Sequence, residues 1–70
     1  MDNRYTESKE AMQNIVDMPE SHINRFIRYC LVNNGTLSKA KRDKHFSMLT
    51  TREITQLESV VARAYKGLLQ

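Results

Sequence analysis

Cys30 is the only cysteine in the 70-residue chain, so no internal disulfide can staple it. No Cys/His cluster has the spacing of metal ligands either. A chain this short buries a modest share of its surface, so packed helices or a partner chain must stabilise it. A homodimer is compatible with that need. The lone thiol fits a reducing compartment. Residues 1–20 carry no basic stretch followed by an apolar run, so no secretory signal is expected. The apolar blocks are only a few residues long, too short for a membrane span. A cytoplasmic protein without membrane contact is the expectation. Two glycines and one proline punctuate the sequence sparsely, which favours helices over a hairpin-rich β fold.

What is present has helical spacing. Tyr5, Met12, Ile15 and Val16 fall on one side of a first segment over about 3–17. Pro19 suits the opening turn of a second helix over 19–33, with Asp17 as a candidate cap. Ile23, Phe26, Ile27, Cys30 and Leu31 then form a stripe roughly 140° wide. Asn34-Gly35 reads as its stop, with Gly35 free to take the left-handed conformation that closes the last turn. Ser38 is a candidate N-cap for a short helix over 38–46. That piece has no broad apolar face, so Leu37 and Phe46 are expected to pin its ends. Thr50-Thr51-Arg52-Glu53 has the form of a capping box, flanked by Leu49 and Ile54 as a hydrophobic staple. A last helix over 51–66 follows, with Ile54, Leu57, Val61, Ala64, Tyr65 and Leu68 on one side and Arg52, Gln56, Ser59 and Arg63 opposite. Gly67 is expected to loosen its end. The predicted fold is all-α, a single domain over 1–70 with three main helices and a short basic one around one core.

The residue types of catalysis are present but not assembled. A nucleophilic cysteine needs a base within reach and an open, electropositive setting. Cys30 instead lies within the apolar stripe, and His22 points roughly 80° away around the same helix. Glu7 and Glu10 share a helix face with no apolar pocket to separate their pKa values. Gly35 and Gly67 stand alone, so no phosphate-cradling loop exists. The chain is expected to be no enzyme and to use no cofactor or metal.

Charge is the more informative property. The net charge of +3 is mild, yet Ser21–Arg52 holds seven Lys/Arg against the single acid Asp43. Lys39, Lys41, Arg42, Lys44 and His45 form the core of this stretch, with Arg25, Arg28 and Arg52 able to extend it. Such a surface can meet an acidic protein and guide association. It can also neutralise phosphates, and the order helix, glycine-containing turn, helix is that of a helix-turn-helix. The base-reading groups are flexible lysines and one arginine, and aromatic interleaving is absent from the segment. A protein partner is therefore placed ahead of nucleic acid.

The run Asn33-Asn34-Gly35-Thr36-Leu37-Ser38-Lys39-Ala40-Lys41-Arg42, then Phe46, Leu49-Thr50 and Glu53-Ile54, resembles the C-terminal accessory segment of Fic-family proteins, typically AMP-transferring enzymes. The resemblance covers about Ile23 to Val61. The family's His-Pro-Phe and Gly-Asn-Gly-Arg catalytic signature is missing, so adenylylation does not carry over. Thr51 and Arg52 stand where acids often follow Leu-Thr. The resemblance implies a detached helical accessory module contacting a larger protein or nucleic acid. Inhibitory helices of the family carry Ser/Thr, three residues and Glu, a spacing shared by Thr6 and Glu10, although Ala11 replaces the Gly or Asn that follows. An antitoxin-like inhibitor of a Fic-type enzyme is thus a further alternative. The leading expectation is a regulatory or accessory helical module that binds a protein through its basic surface.

Overall fold

The computed structural model describes residues 3–68. They form α1 (Asn3–Ile15), α2 (Glu20–Val32), α3 (Lys39–His45) and α4 (Thr51–Tyr65), followed by a 3₁₀ turn at Lys66–Leu68. No strand occurs among the described residues, and the all-α expectation holds. The Cα radius of gyration is 11.0 Å, close to the value of about 11 Å for a compact chain of this length. α1 packs chiefly on α4 and also on α2, while α2 meets α4. α3 joins none of these main pairings.

The stripe on α2 behaves as its spacing requires. Ile23, Phe26, Ile27 and Cys30 are buried, with Leu31 partly covered at the edge. α1 contributes Met12 and the following Val16, and α4 contributes Ile54, Leu57, Val60, Val61 and Tyr65. Full burial of a side chain such as Phe26 or Leu57 contributes about 1.5–3 kcal/mol, so a few such groups dominate so small a core.

Several local expectations are corrected. Asp17 does not cap α2. Pro19 holds the N-cap position with no side-chain hydrogen bond, and its carbonyl accepts from the His22 and Ile23 N–H groups. The turn after α2 uses two left-handed residues, Asn34 at φ 60° and Gly35 at φ 99°. Asparagine tolerates that region better than most side chains, and Gly35 then donates its N–H to Cys30 O at 2.7 Å. Leu68 is 62% exposed rather than on the buried side of α4. The chain tightens into the 3₁₀ turn after Tyr65, which breaks the 3.6-residue period before Leu68 is reached. Gly67 therefore sits in a tightened end, not a loosened one.

Candidate functional site

α3 is held at its edges and left bare along its length. The Ser38 hydroxyl accepts the Lys41 N–H at 3.3 Å, capping the first turn. Leu37 and Phe46 flank the helix and both are buried, with Phe46 edge-on to Phe26 at 5.2 Å between ring centroids. None of the seven α3 residues is buried. The physical reason lies in the sequence: Ala40 is the only apolar residue among them, so the core gains nothing by taking the helix in. α4 contributes to the placement of α3 as well. The Leu37 N–H donates to the Glu58 carboxylate at 2.8 Å. Thr50 and Glu53 complete the reciprocal capping box that starts α4, at 3.1 and 2.9 Å.

Beside α3 lies Tyr29 of α2, half-buried on the flank of the apolar stripe. Lys41 Nζ sits 4.6 Å from its ring centroid and the Arg28 guanidinium carbon 5.8 Å away. The His45 ring is 5.6 Å from the Tyr29 ring, tilted by 35°, and 6.4 Å from Phe46 in an edge arrangement. Lost hydration holds His45 below its ordinary value of 6.5, with Arg25, Lys44, Lys41 and His22 adding to the effect in that order. Four basic groups from two helices thus direct their fields at one imidazole. The acid nearest in sequence, Asp43, lies 4.0 Å from Arg42 Nε in a largely exposed pair, an arrangement worth about 0–1 kcal/mol.

Of the residues singled out by charge, the structure brings together Arg25, Arg28, Lys41, Lys44 and His45. Arg42 is turned toward Asp43. Lys39 and Arg52 are exposed in the first turns of α3 and α4, and no ring contact or ion pair among the described residues ties them to the cluster. Sequence reasoning missed Tyr29. Its signal was the four-residue spacing from Arg25, which places the two on one face of α2. It also missed His22, whose ring meets Phe46 edge-on at 6.5 Å and whose Nδ1 is buried without a hydrogen-bond partner.

Elsewhere, Cys30 is fully buried and its thiol is pushed up to about 12, first by burial and then by the Glu58 charge. A neutral thiol in the core cannot serve as a nucleophile at ordinary pH. Thr6 and Glu10 are both exposed on α1. A shallow groove of about 510 Å³ between α1 and α4 is lined by Arg4, Glu7, Ser8, Ala11, Val60, Arg63 and Ala64, and shares no residue with the basic face. Among the described residues, no group of three His, Cys, Asp or Glu side chains could hold a metal ion, and no helix is long and apolar enough to cross a membrane. Comparison with known proteins finds no matching family model, no matching curated protein and no matching solved structure.

Proposed function

We propose that this chain is a non-catalytic helical interaction module that docks an acidic protein surface through the α2–α3 face. The observation that carries this reading is the convergence of Arg25, Lys41 and Lys44 around His45 and Tyr29, with none of the three cations in an ion pair among the described residues. An uncompensated cluster of this kind draws an acidic partner by its field and sets the partner's orientation. Support for a protein over nucleic acid comes from the groups themselves. Lys41 already lies over the Tyr29 ring, so a base stacking on that face has to displace it. Within α3 the base-reading groups are flexible lysines and the single Arg42, which lies 4.0 Å from Asp43 in a weak, largely exposed pair. The likeness of Asn33–Arg42 and Leu49–Ile54 to a Fic-family accessory segment adds a regulatory or accessory role to this reading, and the lone thiol of Cys30 favours the cytoplasm.

The second reading, a nucleic-acid site, is favoured by one specific observation: α2, its turn and the basic α3 follow one another in helix-turn-helix order. Titration with an acidic peptide, duplex DNA and single-stranded DNA at two salt concentrations separates the readings. Peptide binding that is lost on reversing Lys41 and Lys44 to glutamate is the expected result. DNA binding tighter than peptide binding, with a steep dependence on salt, would replace the protein reading with the nucleic-acid one.

A further inference from the structure

The basic face has at its centre a group whose charge can change near neutral pH. His45 closes the last turn of α3, packed against Tyr29 of α2 at 5.6 Å and Phe46 at 6.4 Å. The charged and titratable groups around it are His22, Arg25 and Arg28 from α2, with Tyr29 between them, and Lys41, Lys44 and the Arg42–Asp43 pair from α3. A helix C-terminus ordinarily favours a protonated histidine. Here lost hydration, and after it the surrounding cations, outweigh that preference.

We propose that His45 is a proton-linked contact of the docking face, so that an acidic segment lying across Arg25, Lys41 and Lys44 binds together with one proton on the imidazole. The inference rests on the reading of this face as a docking surface and specifies what the partner must bring. Carboxylates placed over the three cations offset the repulsion that these add, beside lost hydration, against an imidazolium at His45. They also give a protonated ring a charged acceptor, which no ion pair among the described residues supplies. The charge added to the face is then a fourth favourable one instead of a fourth repelled one.

The sign follows from linkage. Free protein disfavours the imidazolium and the complex favours it, so the complex holds more protons and affinity rises as pH falls. The rise begins where the bound histidine protonates and levels off below the point where the free one does. Affinity gains about tenfold for each unit by which binding raises the histidine. A partner that meets the face with hydroxyls or amides alone brings no such charge and shows no coupling.

The probe is a decaglutamate peptide, whose carboxylates stay largely ionised above about pH 5.5. Calorimetric titration of the full chain at low salt, in two buffers of different ionisation enthalpy, counts the protons exchanged. Net uptake of a fraction of a proton near neutrality is expected, together with tighter binding at about pH 6 than at about pH 8. His45→Gln should still bind the peptide but lose the uptake and the pH dependence, whereas His22→Gln should keep both. An NMR titration of the His45 ring in the unmutated protein, with and without peptide, gives the same answer should His45→Gln fold poorly: its midpoint must move upward on binding. Failure of the peptide to bind at low salt sinks the docking reading and this coupling with it. Binding without proton uptake, uptake that survives His45→Gln, or an unmoved midpoint overturns the coupling alone.

Discussion

The Leu37 N–H donates to the Glu58 carboxylate at 2.8 Å, joining the turn before α3 to the middle of α4 across 21 residues of sequence. Hydrogen bonds to charged acceptors are worth about 1.5–3 kcal/mol. Glu58→Ala is expected to destabilise the protein by that amount in urea unfolding, and Glu58→Gln, which keeps a neutral acceptor, by less. Hydrogen exchange should speed up first at residues 37–46. Uniform acceleration over all four helices would show that the bond supports the whole core rather than α3.

Phe26 is fully buried on α2 and carries Phe46 on its ring at 5.2 Å. Phe26→Ala is expected to cost about 3–5 kcal/mol, enough to unfold much of a domain of this size at room temperature. Circular dichroism on heating reads the outcome. Cooperative melting at an unchanged Tm would contradict the placement of this side chain.

The capping box at Thr50 and Glu53 satisfies two N–H groups at the start of α4. Thr50→Ala removes one partner and is expected to cost about 1 kcal/mol. The measurement is the shift in urea midpoint at constant slope. A neutral result would mean that α4 starts at another residue in solution.

Stability should depend on pH through His45. The folded protein holds this ring below its ordinary value of 6.5, so it binds fewer protons than the unfolded chain on mild acidification. The contribution is fully present above the unfolded value and is lost as pH falls through the folded one. The expected outcome is a Tm that declines below about pH 6.5, with a shallower decline in His45→Gln. An equally steep decline in that variant would assign the effect to another group.

Cys30 should resist alkylation in the folded state, because its thiol is both enclosed and pushed up to about 12. Labelling with a thiol reagent at neutral pH is expected to track unfolding as urea is added. Rapid labelling of the native protein would contradict the core assignment and reopen nucleophilic chemistry at this residue.

Much of the fold was legible because it depends on local rules. The α2 stripe from Ile23 to Leu31, the Ser38 cap and the Thr50–Glu53 box each involve residues within one or two helical turns, and each is present. The misses involve groups distant in sequence or changes of helical type. Nothing local in the sequence pairs Glu58 with Leu37. The outward turn of Leu68 follows from the 3₁₀ tightening after Tyr65, which periodicity does not anticipate. Ser8, almost fully buried on α1, was overlooked because its hydroxyl is satisfied within its own helix, by Tyr5 O at 3.0 Å. The charged segment was visible in composition, yet its organising residue was not. Tyr29 sits between two stripes and belongs wholly to neither, and only the return of α3 past α2 adds Lys41 and His45 to its neighbour Arg28.

Because Leu37 and Phe46 hold α3 by residues outside it, the exposed positions Lys39, Ala40, Lys41, Asp43 and Lys44 carry little of the constraint of folding. Substitutions there should leave how it folds nearly untouched, and under the proposed docking role they change whom the protein meets. Under that role, recognition could drift or be redesigned on this short helix, while the scaffold beneath it keeps the same shape.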